Sequence, residues 1–281
     1  MTAASNRVDV KTSKIGGKTV RVSSPAGEPG DRKRQSLLYV RDHARRSRCS
    51  CEQCDEARLL VRHGGFEVVS IERDSRDGFG LNSAVEDVVV VWTALVREFN
   101  PVCLGFLGEA GFGALAAARI LNEIWDGAPT PGAIVLRAPG PDLMKRCFSE
   151  SADKGGGASF ADSSCARAIA GTPTNLYDSH QIQIEFPPTL VMADAEDALL
   201  GETARAFRML RRSGIPIAME VFEGWSSVAC AEKRCGSRAA EQAAEIARFF
   251  DRHLDEGFPR MFSAGRSADS MDRRVDAAIT S

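Results

Sequence analysis

Two kinds of apolar pattern alternate along most of this chain. Short continuous apolar runs occur in "SLLYV" (36–40), "FEVVSIER" (66–73), "VCLGFL" (102–107), "GAIVLRAP" (132–139), "PPTLVMAD" (187–194) and "IAMEVFEGW" (217–225). Runs of this length, rich in Val, Ile and Phe, predict strands buried on both faces. Between them, apolar residues recur three and four positions apart in "CDEARLLVRHGG" (54–65), "NSAVEDVVVVWTALVREF" (82–99), "GALAAARILNEIW" (113–125), "GETARAFRMLRRSG" (201–214) and "SRAAEQAAEIARFFDRHL" (237–254), which predicts helices. Gly64 and Gly65 close the first helix and Gly214 the fourth. Asn82 or Ser83 caps the second, with Glu86 and Asp87 read into its first turn.

Strand and helix therefore alternate from residue 36 to residue 254. Crossovers of this length make the strands parallel and put helices on both faces of one sheet. Ligands of such sheets sit outside the carboxyl ends of the strands. The expected layout is an N-terminal extension over 1–35, with "KTVRVSS" (18–24) as a short edge strand, and an α/β domain over 36–256. That domain carries a Gly-, Ser- and Asp-rich, cap-like insertion over 140–180, and a disordered tail follows over 257–281.

Composition narrows the function classes. A net charge of −2 over 281 residues supplies no electrostatic reason to bind nucleic acid or an anionic membrane. No apolar run approaches the roughly 18 residues of a membrane-spanning helix. The stretch "MTAASNRVDVKTSK" has no apolar signal-peptide core, so a cytoplasmic protein is expected. Eight cysteines are too sparse for a disulfide scaffold. The cluster "CSCEQC" (Cys49, Cys51, Cys54) has no second C-x-x-C or H-x-x-x-H partner, so free thiols at a helix start are expected, as for Cys230 and Cys235. No metal and no cofactor is expected.

The chemistry is concentrated around "VCLGFLGEAGFGALAAARIL" (102–121), where an apolar run enters a glycine-rich turn and then a small-residue helix. Such an elbow can hold one reactive side chain at its tip, but the tip here is Ala110. The order and spacing of the segments resemble the α/β-hydrolase fold and, within it, the hormone-sensitive-lipase-like esterases of bacterial type. The resemblance covers roughly residues 18–255 and is carried by "SLLYVRDHA", "FEVVSIERD", "LNSAVEDVVVVWTAL", "LGEAGFGALAA", "FPPTLVMADAEDALLGETARAF", "MEVFEGWSSV" and the terminal helix. It implies a mostly parallel central sheet with helices on both faces and a short cap. It also implies a serine nucleophile in a G-x-S-x-G elbow, an HGGG turn of oxyanion donors, an acid after the seventh strand and a histidine after the eighth.

Carried onto this sequence, the nucleophile position is Ala110, flanked by Glu109 and Gly111. A methyl group cannot attack a carbonyl. The resemblance implies that Phe112 replaces a small residue and crowds the pocket floor. The oxyanion turn falls on Arg41, Asp42, His43 and Ala44, none of them the glycine that close backbone approach favours. The acid position falls on Glu196, with Asp197 as the alternative. The base position falls on Ser227 or Ser226, and serine cannot relay a proton near neutral pH. "RHGGF" (62–66) imitates the oxyanion motif but precedes a strand, so Gly64 and Gly65 read as a helix cap. His253 reads as a surface or helix-end residue, His180 as a loop residue, and Cys103 as a small buried apolar side chain. Glu109 reads as touching solvent or the next helix N-terminus.

Nucleophile, base and oxyanion glycines are thus missing together, which one engineered Ser→Ala change would not produce. The expectation is an esterase-like pseudo-hydrolase that binds a small apolar or ester-like ligand or a protein partner. The alternative is an active ester hydrolase, or a non-hydrolytic lyase or cyclase, working through Glu109, Asp42, His43 and Glu196.

Overall fold

The computed structural model describes residues 7–27, 35–42, 55–73, 81–123, 129–137, 187–195, 200–212, 216–223 and 235–254. Among these residues eight strands form one sheet: β1 (Val8–Ile15), β2 (Lys18–Pro25), β3 (Ser36–Asp42), β4 (Glu67–Arg73), β5 (Leu104–Glu109), β6 (Ala133–Arg137), β7 (Thr189–Asp194) and β8 (Ile217–Phe222). Their spatial order is β1-β2-β4-β3-β5-β6-β7-β8. The pairs from β4 through β8 are parallel, whereas β1 and β2 pair antiparallel with each other and β2 pairs antiparallel with β4. The predicted parallel core is therefore present, with an antiparallel hairpin added at one side.

That hairpin falls within the stretch read as an N-terminal extension. β2 matches "KTVRVSS" but is not an edge, because β1 lies outside it. β1 escapes a periodicity search because its side chains are mostly exposed on both faces, so no apolar alternation marks it. The turn is made by Gly16 and Gly17, whose φ values of 57° and 73° favour glycine.

Among the described residues five helices cover the faces: α1 (Glu56–Gly64), α2 (Leu81–Glu98), α3 (Ala110–Glu123), α4 (Leu200–Arg212) and α5 (Cys235–His253). On one face Leu38, Val40, Phe106, Ile134 and Val191 pack under α2 and α3. On the other, Leu37, Tyr39, Leu107, Val135 and Met192 pack under α1 and α5. Alternation of side chains along each strand sends successive residues to opposite layers, which is why the strand sequences are apolar throughout. Among the described residues no helix is long and apolar enough to cross a membrane.

Several local expectations are refined. α1 ends as read, with Gly65 left-handed at φ 69° and its N–H bonded to the Val61 carbonyl, so "RHGGF" is a helix cap. α2 begins at Leu81, so Glu86 and Asp87 lie beyond its first turn. They bind instead to Arg119 of α3 at 3.1 Å and Lys18 of β2 at 2.7 Å. Val102 and Cys103 belong to a 3₁₀ turn over Pro101–Cys103 that precedes β5, with Cys103 buried as expected. The insertion over 140–180 and the tail over 257–281 lie outside the described residues.

The chain turns from β5 into α3 with no intervening loop. Gly108 and Gly113 approach so closely there that a Cβ on Gly113 would stand 2.4 Å from the Gly108 carbonyl carbon and 2.5 Å from its Cα. A methyl group has no room against backbone. Gly201 in α4, by contrast, has nothing within 4 Å of its would-be Cβ. Urea unfolding should show Gly113→Ala destabilised by about 3 kcal/mol. Gly201→Ala should instead be stabilised by about 0.5 kcal/mol, as expected for removing a flexible residue from a helix.

Candidate functional site

The parallel strands end together at one edge, and their last residues bring opposite charges side by side. Val40 of β3 pairs with Gly108 of β5, so Arg41 and Glu109 are the next residues along adjacent strands. Glu109 in turn pairs with Arg137 of β6. Arg41, Glu109 and Arg137 therefore form a cross-strand row of alternating charge on the face covered by α1 and α5, in line with the stabilisation of opposite-charge neighbours in sheets. Tyr39 lies one side-chain repeat below this row, and α1 adds Glu56 from its first turn.

The guanidinium of Arg137 is the centre. Its Nη1 donates to Glu56 Oε1 at 2.5 Å, and its Nη2 lies 2.9 Å from Glu109 Oε1 and 3.2 Å from the Tyr39 oxygen. The same Nη2 also pairs with Glu56 Oε2. Tyr39 donates its single proton to Glu56 Oε2 at 2.6 Å, with Glu109 Oε2 a second acceptor at 3.2 Å. Arg41 completes the group, its Nε 3.7 Å from Glu109 Oε2 and its guanidinium 5.4 Å from the centre of the Tyr39 ring. Side-chain exposure rises outward, from 7% at Arg137 and Glu56 to 12% at Glu109 and 19% at Arg41.

Charge and burial set the protonation states. Burial alone would lower the Arg137 pKa, but Glu109 and Glu56 more than offset it, so the net shift is upward and the guanidinium stays charged. Burial, then Glu109 and Glu56, push Tyr39 well above its ordinary value, against the opposing pull of Arg137 and Arg41. Its hydroxyl is therefore a donor throughout the physiological range.

Glu109 thus does more than touch solvent or the N-terminus of α3. Its carboxylate is held by two guanidinium groups and a phenol, because β5 register delivers it opposite Arg137. Arg41 and Asp42 are the last residues of β3, paired with Glu72 and Arg73 of β4, rather than members of a turn. Phe112 does not reach a pocket floor, since it is buried among the apolar residues between the sheet and α2 and α3. Ala110 opens α3 immediately after β5, with Gly111 next. His43, Ala44, His180, Glu196, Asp197, Ser226, Ser227 and the cysteines at 49, 51, 54 and 230 lie outside the described residues. His253 is half-buried with its ring 4.6 Å from that of Phe249, and burial with nearby Arg252 lowers its pKa. It is therefore not a strongly favoured helix-end cation.

Sequence reasoning missed Tyr39, Glu56 and Arg137. The available signal was an arginine closing the otherwise apolar run "AIVLR" in a strand adjacent to one that ends in glutamate. An unpaired buried cation is too costly to be tolerated, so that arginine needed acidic neighbours.

The strand order, the abrupt β5–α3 junction and the two helical layers define an α/β-hydrolase fold. Solved structures agree. Esterase E25 superposes with a TM-score of 0.60 at 21% identity, covering 88% of this chain and 79% of that one. An esterase from the bacterial hormone-sensitive lipase family gives a TM-score of 0.62 at 18% identity, covering 88% and 85%. A hormone-sensitive lipase from a metagenome library gives 0.62 at 14%, covering 88% and 86%. At the level of sequence, no family model and no curated protein matches the chain.

Two outcomes test the charged cluster. Arg137→Met should lower unfolding stability by about 3–5 kcal/mol in urea, since it leaves two buried carboxylates facing each other. The alkaline limb of the stability curve should follow Tyr39. Because its folded pKa is raised, its contribution is complete below the unfolded value near 10 and is lost as pH rises beyond it, when the unfolded chain releases the proton first. Thermal melts between pH 9 and pH 11 (about one unit either side of that value) should fall less steeply for Tyr39→Phe than for the parent.

Proposed function

We propose that this chain is an esterase-like α/β-hydrolase-fold protein that has lost Ser-His-acid ester hydrolysis and works as a small-ligand-binding or protein-interaction pseudoenzyme. The observation that carries the reading is the residue at the strand-to-helix junction. The crowded Gly108–Gly113 crossing keeps the elbow, and the first helical residue it delivers is Ala110, which has no nucleophile. On the resemblance, Ser227 stands for the base and His43 and Ala44, which follow β3, stand for oxyanion glycines, and each substitution acts in the same direction. Glu196 keeps an acid that by itself does no acyl transfer. The ligand is a small apolar or ester-like molecule held outside the strand ends. On this reading nucleic acid is not a partner, the chain does not span a membrane, and the protein is cytoplasmic.

The alternative, an enzyme using non-standard acids and bases, loses support at Glu109. A carboxylate already bound by Arg137, Tyr39 and Arg41 is poorly placed to take a proton from a substrate.

A short-chain p-nitrophenyl ester assay should give turnover at the buffer background. Turnover well above it that disappears in Glu196→Gln or His43→Ala would overturn the reading in favour of a non-standard hydrolase. Ester cleavage appearing in Ala110→Ser/Ser227→His, and in neither single variant, is the outcome expected if both positions are correctly assigned.

A further inference from the structure

We propose that the Tyr39 hydroxyl is a two-position hydrogen-bond switch linking the ligand-facing edge of the sheet to the first turn of α1. A phenol carries one proton, and two carboxylates from different elements compete for it. Glu56 of α1 takes it at 2.6 Å, while Glu109 at the end of β5 waits at 3.2 Å. Turning from one to the other needs only rotation about the C–O bond. Both carboxylates keep Arg137 in either position, so neither is stranded in the buried layer.

Arg41 sets the position. It meets the same Glu109 oxygen, Oε2, that Tyr39 addresses, at an ion-pair distance of 3.7 Å, and it is the most exposed member of the cluster. With Arg41 in place Glu109 Oε2 is served by a cation, and the hydroxyl settles on Glu56. When the carbonyl oxygen of an ester-like ligand at the strand ends draws Arg41 toward itself, Glu109 Oε2 loses that cation. The hydroxyl then turns to it and leaves Glu56 Oε2. The first turn of α1 is held less tightly, and α1 packs against α5 in the same apolar layer. Occupancy at the edge is thereby reported on the α1–α5 face. What moves Arg41 rests on the ligand-binding reading above, but the switch can be tested without any ligand.

The chain has two tyrosines, so a Tyr177→Phe background leaves Tyr39 as the sole ¹³Cζ-tyrosine signal. Arg41→Gln in that background should shift this signal and speed amide hydrogen exchange at Leu59, Leu60 and Val61 by about fivefold or more, as expected for loss of a charge-assisted hydrogen bond at the helix start. The exchange effect should vanish when Tyr39→Phe is added. Should Arg41→Gln not fold, Arg41→Met, which also removes the cation from Glu109 Oε2, carries the same comparison. An equal rise with and without the hydroxyl, or no rise in either, overturns the switch while leaving the ligand-binding reading standing.

Discussion

The buried guanidinium of Arg137 constrains everything at the carboxyl edge of this sheet. A cation taken out of water on a central strand demands acidic partners at contact distance, and they must come from elements that cannot drift. Glu109 is supplied by the neighbouring strand in register, and Glu56 by the first turn of α1. The ion cluster therefore ties β5, β6 and α1 together at the point where the chain leaves the sheet for α3. Tyr39 adds β3. Four elements meet through one side chain beside the elbow.

The same constraint fixes which side chains stand beside the elbow. A hydrolytic elbow needs a nucleophile at its tip and neutral N–H donors nearby. Here residue 110 is alanine, and Glu109 just before it is paired with Arg41 and Arg137 on the two neighbouring strands. Glu109 has been drawn into the layer below. Among the described residues, the edge offers an incoming molecule a partly exposed arginine on a tyrosine ring.

Much of the fold was legible because parallel strands buried on both faces and amphipathic helices leave distinct apolar periods. The strands from "SLLYV" to "IAMEVFEGW" and the five helices are where those periods place them. β1 was illegible for the opposite reason, as an exposed edge strand leaves no apolar signature. The start of α3 was set three residues too late because glycines suggested a loop where they serve a close crossing. At the site, Glu109 at the end of β5 could be read directly. The partners of Glu109 could not, because register across β3, β5 and β6 is a three-dimensional fact. Phe112 was misassigned by analogy, since its position on the helix turns it into the core.

The Gly108–Gly113 crossing has a wider consequence. These two residues are small because two backbones touch there, and that requirement is indifferent to what the elbow carries. A glycine signature at such a junction is thus a record of steric crowding. It would survive the loss of every reacting group around it, and its persistence in a chain is no measure of catalysis.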